Sequence, residues 1–166
     1  MKIKRWLRHL ATGQLALRFC FPKTTLDVIE QAIRQSETQH SGEICFAVEI
    51  ALNTVPLFKN QSARERAIDV FAQLRVWDTE HNNGVLIYVL LADRDVEIVA
   101  DRGINAKISE SEWEAVCHAM ESAFRQRQFE TGVIDGIRAI GRHLATHFPP
   151  DENKSRNELP NKPVVL

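Results

Sequence analysis

The sequence has little of what would place it in several common protein classes. Its three cysteines, Cys20, Cys45 and Cys117, are widely spaced and odd in number. They cannot form a disulfide framework or a CxxC metal knuckle, which favours a reducing compartment. The longest apolar run, at 84–92, is less than half of the about 20 residues that a membrane-spanning helix needs. We therefore interpret this run as a core strand rather than a membrane anchor.

Standard catalytic and nucleotide-binding motifs are also missing. The sequence has no GxxxxGK[ST] phosphate loop, no GxGxxG, no HExxH, no GxSxG elbow and no CxxxxxR thiolate pocket. Its composition is that of an ordinary globular protein, with 44% hydrophobic and 26% charged residues. This excludes global disorder and collagen-like repeats, but it leaves the function open.

The net charge of −1 hides an uneven distribution of charge. Residues 1–25 carry six basic and no acidic side chains, whereas residues 26–150 carry 12 basic and 19 acidic ones. A basic arm on an acidic body favours contact with an anionic partner. Nucleic acid is disfavoured as that partner, because the acidic body would repel a phosphate backbone and no stacking aromatics interrupt the basic patches.

Residues 1–21 are predicted to form a basic amphipathic N-terminal arm. Leucine and tryptophan side chains alternate there with lysine and arginine, as in helices that lie on an anionic membrane surface. Polar residues interrupt its apolar stretch, so we expect no signal peptide. The alternatives to membrane contact are a helix packed on the rest of the protein and a frayed N-terminus. We expect a cytoplasmic protein that is at most peripheral to the membrane.

The pattern of apolar residues predicts one α/β domain over residues 22–148. The predicted strands are 43–52, 85–92 and 96–100, and the predicted helices are 24–39, 63–76, 110–128 and 133–147. The strand at 85–92 is apolar on both faces, so helices must cover both faces of the sheet. The sequence therefore predicts a three-layer α/β/α sandwich with a small mixed central sheet.

Local signals mark where these elements begin and end. Three residue pairs have the spacing of a capping box, namely Thr24 with Asp27, Ser62 with Glu65, and Ser109 with Glu112. Pro56 indicates a loop at 53–59, and the proline pair at 149–150 ends the last helix. The segment 149–166 is polar and lacks periodicity, so we expect it to be a disordered C-terminal tail.

The predicted topology brings polar residues together at one end of the sheet. If the second and third strands form a hairpin, the loop before the second and the loop after the third share that end. Their oxygen atoms suit Ca²⁺ or Mg²⁺, which predicts a metal site at Asp78, Asn82 and Asp101, joined by Glu43 if the first two strands are parallel. The alternative is an ordinary solvated loop. The residues 93–95 at the opposite end, Asp93, Arg94 and Asp95, are interpreted as plain turn residues.

Two stretches of the sequence resemble the TPM-domain family, which is named after a plant thylakoid-lumen phosphatase, a photosystem II repair protein and a nematode receptor modulator. The stretch NNGVLIYVLLADR at 82–94, continued by Val-Glu-Ile at 96–98, is similar to the central hairpin of the family. The stretch FRQRQFETG at 124–132, which leads to Gly136, is similar to the segment between its last two helices. The resemblance covers residues 26–147 and implies an α/β/α sandwich.

The resemblance also implies activities. Plant relatives are described as acid phosphatases, and some bacterial relatives as binding Ca²⁺ through loop aspartates. The acidic loop of the family corresponds to Asp78 and Asn82 here, and its Asp-Arg turn corresponds to Asp93 and Arg94. Residues 101–103 are Asp-Arg-Gly, where many members have Gly-Tyr-Gly.

Two functional hypotheses compete. The first is a non-catalytic binding or assembly module that docks on a protein partner or on an anionic membrane surface through residues 1–21. The second is a phosphate-ester hydrolase assisted by Ca²⁺ or Mg²⁺, with Asp78, Asp101 and Arg102 as catalytic residues. There the aspartates would hold the metal, and the arginine would neutralise developing phosphate charge. We expect the binding module.

Overall fold

The computed structural model describes residues 2–150 and 157–166. Within these residues, the elements follow in the order α1 (Lys2–Ala11), α2 (Gln14–Cys20), α3 (Lys23–Ser36), β1 (Glu43–Glu49), α4 (Thr54–Phe58), α5 (Ala63–Gln73), β2 (Gly84–Leu90), β3 (Asp95–Ala100), α6 (Arg102–Asn105), α7 (Glu110–Arg125), α8 (Phe129–His147) and β4 (Val164–Val165). Every strand and helix that the sequence predicted is present, with small shifts at the ends. The apolar periodicity therefore identified the main elements of the domain.

The described strands form one mixed sheet in the order β3-β2-β1-β4. β2 is antiparallel to β3, with Leu90 opposite Asp95, and parallel to β1, with Gly84 opposite Glu43. Because β2 has a strand on each side and helices on both faces, it can be apolar throughout. The predicted hairpin is confirmed, and β1 and β2 are parallel.

Helices cover both faces of the sheet and create two apolar cores. On one face, Ile44, Phe46 and Val48 of β1 pack with α3, α7 and α8. On the other face, Cys45 and Ala47 pack with α4 and α5. Successive side chains of a strand point to opposite faces, which explains why β1 contributes to both cores. The predicted three-layer α/β/α sandwich is confirmed.

Capping boxes start two of the helices, as the sequence predicted. At the start of α5, the Glu65 backbone N–H donates to Ser62 Oγ (3.1 Å), and the Ser62 N–H donates to Glu65 Oε2 (2.7 Å). Ser109 and Glu112 form the same arrangement at the start of α7. These contacts satisfy backbone N–H groups that have no partner within the first turn.

Two expectations near prolines are wrong. Thr24 and Asp27 do not cap α3, because the helix already begins directly after Pro22, whose fixed φ of −61° suits that position. The predicted loop at 53–59 contains the short helix α4. Pro56 is compatible with α4 since it lies in the first turn, where a backbone N–H has no partner within the helix.

The C-terminal segment is ordered where the structure describes it, so the predicted disorder of 149–166 is wrong for 157–166. β4 pairs in parallel with β1 and covers its outer edge. Leu159 is buried in the core formed with α5. The C-terminal segment is ordered because the edge of β1 has backbone N–H and C=O groups that need partners, and β4 supplies them. The residues 151–156 of the predicted tail lie outside the described residues.

The predicted N-terminal arm, 1–21, folds into α1 and α2, with Met1 outside the described residues. One side of the arm packs on the sandwich. The ring of Trp6 meets that of Phe58 edge-on at a centroid distance of 4.6 Å, and Leu17 is buried. Across the described residues, no helix combines the length and the apolar character needed to cross a bilayer.

Candidate functional site

Polar loops meet at the end of the sheet where β1 and β2 begin and β3 ends. Glu43 and Gly84 face each other there in the register of β1 and β2. The Asp101 backbone N–H donates to the Gly84 carbonyl (2.9 Å). The Ile104 N–H donates to the Asn82 carbonyl (3.3 Å). The loop before β2 and the loop after β3 therefore lie together, as the predicted topology requires.

Three of the predicted site residues contact one another at this end. Arg102 Nε donates to Asn82 Oδ1 (3.2 Å), which joins the two loops. The Arg102 backbone N–H donates to Asp101 Oδ1 (2.7 Å) at the start of the short helix α6. Asn82 has a left-handed backbone, with φ of 53°, a conformation that asparagine tolerates better than most residues. Its side chain is thereby directed at the loop after β3.

Two buried oxygen atoms at this end have no hydrogen-bond partner among the described residues. They are Asp101 Oδ2 and Asn83 Oδ1. The rest of the Asn83 side chain is engaged, since its Nδ2 donates to the Ser41 carbonyl (3.2 Å). Buried polar atoms without partners are rare, and both of these are hard acceptors that suit a cation or a water molecule.

The described contacts of the Glu43 side chain are with the C-terminal segment, and Asp78 lies at the surface. The Glu43 carboxylate is fully buried and accepts hydrogen bonds from the backbone N–H groups of Glu158 (3.3 Å) and Leu159 (3.2 Å). Asp78 is exposed in the loop before β2. The described part of the chain contains no group of three His, Cys, Asp or Glu side chains placed to hold a metal ion. The four-residue metal site and the catalytic roles stay predictions.

Asp93, in the turn between β2 and β3, anchors α1 to the sandwich. Arg5 donates to Asp93 Oδ2 from Nε (2.9 Å) and from Nη2 (2.7 Å). His9 Nδ1 accepts the Leu52 backbone N–H (3.0 Å), so Nε2 carries the proton that is donated to Asp93 Oδ1 (3.1 Å). Burial raises the pKa of Asp93, but the hydrogen bonds from Arg5 and His9 outweigh it and hold this pKa below its ordinary value.

The role of Asp93 was missed in the sequence, where it was interpreted as a plain turn residue. Its side chain is only 10% exposed. Its partners Arg5 and His9 lie 88 and 84 residues earlier in the chain. No neighbouring residue distinguishes it from an aspartate in a solvated turn. The basic character of residues 1–21 was a related signal, but it did not indicate which acid these residues bind.

Helices α1 and α2 both expose large apolar side chains. Five of these side chains are 60–82% exposed, namely Ile3, Leu7, Leu10, Leu15 and Phe19, and the ring of Phe19 also meets that of Phe129 edge-on at a centroid distance of 6.5 Å. Those of α1 recur at helical spacing, which places them on one side of the helix, away from Arg5 and His9. Lys4, Arg8 and Arg18 are exposed on the same two helices. We call this set of five side chains the α1–α2 apolar face.

A further charged cluster is largely buried. The Tyr88 hydroxyl donates to Glu49 Oε2 (2.6 Å), and Arg66 Nε donates to the same oxygen (2.8 Å). Burial, followed by the hydrogen bond to Glu49, raises the pKa of Tyr88. The sequence placed Glu49 in β1, but it gave no indication of either partner. This cluster neutralises a buried carboxylate and offers no accessible reactive group.

A family comparison agrees with this architecture. The profile of the TPM domain matches residues 20–143. The match begins at the end of α2 and extends into α8, so it includes β1, β2 and β3, the loop end with Asp101 and the turn with Asp93. No protein with a curated description matches the chain.

Solved structures with the same fold are found in several bacteria. The BA42 protein of the psychrophilic bacterium Bizionia argentinensis is 34% identical, with a TM-score of 0.74 over 86% of this chain and 93% of BA42. An N-terminal domain from P. gingivalis is 17% identical, with a TM-score of 0.60 over 78% of this chain and 81% of that one. An N-terminal domain from Corynebacterium glutamicum is 12% identical, with a TM-score of 0.54 over 81% of this chain and 82% of that one. The chain therefore belongs to the TPM-domain family.

Proposed function

We propose that this TPM-domain protein is a non-catalytic binding module that docks on an anionic membrane surface through α1 and α2. The observation that carries the proposal is the α1–α2 apolar face, whose five large side chains are each at least 60% exposed. A group of this kind is unusual on a soluble protein unless it is an interaction site. The basic residues beside it favour anionic lipid as the partner, because they complement the charge of the headgroups.

Both the apolar and the basic side chains contribute to binding. Burial of a large apolar side chain is worth about 1.5–3 kcal/mol when it leaves water completely, and an interfacial position gives part of this. Each lysine or arginine near an anionic surface adds about 1 kcal/mol. Several residues of each kind therefore suffice for reversible binding. Neither kind alone is expected to hold the protein on a membrane.

The anchor at Asp93 supports docking as one rigid unit. Because Arg5 and His9 fix one side of α1 to the β2–β3 turn, the α1–α2 apolar face keeps its orientation relative to the sandwich. Residues 26–150 have a net charge of −7 and would be repelled by anionic lipid. Contact is therefore expected through the two basic helices.

A cytoplasmic location fits this proposal. The three cysteines are free thiols, with Cys45 and Cys117 buried, and unpaired thiols persist in reducing compartments. The cytoplasmic leaflet also carries the anionic lipids that the basic helices require. A protein partner at the membrane would then meet the remaining surface of the sandwich.

Vesicle flotation tests the proposal. The full chain is mixed with vesicles of phosphatidylcholine alone or with added phosphatidylglycerol. Two double variants remove one contribution each: Leu7→Gln/Leu10→Gln removes apolar surface, and Lys4→Gln/Arg18→Gln removes charge. Ile68→Gln is the matched control, because Ile68 is an exposed apolar residue on α5, outside the α1–α2 apolar face.

We expect flotation with the anionic vesicles and little with the neutral ones. Each double variant should weaken binding by at least about tenfold, and Ile68→Gln should leave it unchanged. Equal binding by the wild-type chain and the leucine variant would overturn the proposal. Self-association that depends on Leu7 and Leu10, without vesicle binding, would also overturn it and would identify a second copy as the partner.

A second candidate function is divalent-cation binding at the loop end of the sheet, and the unpartnered Asp101 Oδ2 and Asn83 Oδ1 favour it. The chemistry of these atoms suits Ca²⁺ or Mg²⁺. The donor set is small, however, because Glu43 is engaged by the C-terminal segment and Arg102 adds positive charge beside Asn82. In the hypothesis of a phosphate-ester hydrolase, a cation bound here would polarise the phosphate ester.

A titration with Ca²⁺ or Mg²⁺, followed by backbone amide shifts, tests this second function. Binding predicts shifts at Asn83, Asp101 and Arg102 that Asp101→Asn abolishes. The same variant should abolish any EDTA-sensitive hydrolysis of an aryl phosphate. The absence of shifts at millimolar cation would reject the site, as would shifts centred on the turn at 93–95.

A further inference from the structure

A cavity of about 700 Å³ lies between α2, the β2–β3 turn and the junction of α7 with α8. This volume is within the range of about 300–1,000 Å³ that is typical of small-ligand pockets. None of the metal or catalytic residues predicted from the sequence lines it. It is therefore separate from the loop end of the sheet, where Asp101 lies.

The wall of the cavity is largely apolar and aromatic. Val89 and Leu91 contribute from the end of β2, and Phe124 and Phe129 contribute from α7 and α8. The rings of Phe124 and Phe129 pack at a centroid distance of 5.3 Å. Cys20 contributes to the wall from α2. These five residues are buried or half-buried, so the apolar surface lies in the interior of the cavity.

The charged residues that line the cavity are mostly positive. Arg94, Arg125 and Arg127 line it, and all three are exposed, which places them towards the mouth. Arg127 lies over the ring of Phe19 at 5.9 Å from its centroid. Among the described residues that line the cavity, Glu121 is the one acid.

Glu121 pairs with only one of these three arginines, Arg125. Its carboxylate accepts hydrogen bonds from Arg125 Nη2 (3.3 Å) and from the Val96 backbone N–H (3.4 Å). For Arg94 and Arg127, the described residues provide no ion-pair partner. Two guanidinium groups thus remain at the mouth of an apolar cavity, and guanidinium groups bind carboxylates in a bidentate geometry.

We propose that this cavity binds a single acyl chain with an anionic head group, the chemistry of a fatty acid. The chain would lie against Val89, Leu91 and the aromatic pair, and the carboxylate would meet Arg94 and Arg127. A small inorganic anion would leave the apolar interior unused, and a neutral hydrocarbon would leave the arginines unused. An anionic amphiphile satisfies both parts. Phe19 belongs both to the cavity lining and to the α1–α2 apolar face, whereas Leu7 and Leu10 do not line the cavity, so a variant of these two leucines separates the two sites.

The test uses decanoate as the probe, followed by methyl and amide shifts of the full chain. Decanol supplies the same chain without the charge, and acetate supplies the charge without the chain. Arg94→Gln/Arg127→Gln removes the head-group contacts. Arg138→Gln is the matched control, because Arg138 is an exposed arginine on α8 outside the cavity.

Saturable binding of decanoate is expected, with shifts at Val89, Leu91 and Cys20. Decanol and the double arginine variant should each bind at least about tenfold more weakly, and acetate should not bind. Arg138→Gln and Leu7→Gln/Leu10→Gln should retain full affinity, which separates this site from the proposed membrane contact. Equal affinity for decanol and decanoate, or loss of binding in the leucine variant, would overturn the proposal.

Discussion

The imidazole of His9 lies 3.1 Å from the carboxylate of Asp93, although 84 residues separate them in the sequence. The other ring nitrogen accepts the backbone N–H of Leu52 (3.0 Å). His9 therefore connects α1 to two segments of the sandwich at once. With Arg5 on the same carboxylate, this contact makes α1 part of the folded domain and turns its apolar side outward.

Asp93→Asn should release α1 from the sandwich. The variant removes the charge that Arg5 and His9 bind, and such charge-assisted hydrogen bonds are worth about 1.5–3 kcal/mol. Amide hydrogen exchange in α1 should accelerate by about tenfold or more at neutral pH. Asp135→Asn is the control, since Asp135 is an exposed acid on α8. Unchanged exchange in α1 of the Asp93 variant would contradict the anchor.

The same anchor should weaken in acid. The pKa of Asp93 in the folded protein lies below its ordinary value of 3.8. The stabilisation that the charged carboxylate gives is therefore complete above pH 3.8 and is lost as the pH falls through the lower pKa of the folded state. The protection of α1 amides from exchange, corrected for the intrinsic exchange rate at each pH, should therefore fall only at strongly acidic pH. The Asp93→Asn variant should lack this pH dependence.

Asp95→Asn should stabilise the protein at neutral pH. Burial, and then the nearby charges of Glu97 and Glu121, raise the pKa of Asp95 from 3.8 to about 6. A carboxyl group whose pKa is raised by folding stabilises the protein at pH values below its pKa in the unfolded chain. This stabilisation is lost as the pH rises through the raised pKa of the folded protein. Because Asp95 is only half-buried, solvent screening reduces the effect to about 1 kcal/mol. Urea unfolding should show the gain at pH 7 and none at pH 3; a loss at pH 7 would contradict this assignment.

Gly84→Ala should be strongly destabilising. A Cβ at Gly84 would overlap the backbone carbonyl of Val76, which cannot move as a flexible side chain could. We expect a loss of about 2–4 kcal/mol in the free energy of unfolding. Gly13→Ala is the control, because a Cβ there would meet no atom within 4 Å. Equal stability of the two variants in urea would show that the loop before β2 can withdraw from the sheet.

Glu43→Gln should loosen the C-terminal segment. The carboxylate accepts the backbone N–H groups of Glu158 and Leu159, and an amide oxygen replaces the charged acceptor only in part. The expected cost is about 1–3 kcal/mol, seen as faster amide exchange at Leu166, which bonds to Val48. Glu80→Gln is the control, because Glu80 meets the segment through its backbone N–H. No change at Leu166 would show that β4 is held without Glu43.

The sequence predicted the sandwich because its main determinants are local. The unbroken apolar run at 84–92 required a central strand covered on both faces, and β2 has that place. Ser62 and Ser109 marked two helix starts through contacts that span three residues. Asn82 and Arg102 were predicted to lie close together because the hairpin of β2 and β3 places the loop before β2 beside the loop after β3.

The rest depended on contacts between distant residues, which no local pattern contains. Glu43 looked available for a cation, but residues 157–166 return to the sheet and bind it. Asp93 looked like a turn residue, but α1 returns to it. In both cases the residue lies at the predicted end of the sheet, and the groups that bind it come from a segment far away in the sequence.

The most direct test of membrane docking is the paramagnetic broadening of leucine and isoleucine methyl signals by nitroxide-labelled lipid in anionic vesicles. If α1 and α2 lie in the lipid interface, the methyl groups of Ile3, Leu7, Leu10 and Leu15 broaden, and those of the fully buried Ile29 remain sharp. Equal broadening at exposed Ile68 of α5, or sharp signals throughout the α1–α2 apolar face, would contradict the account.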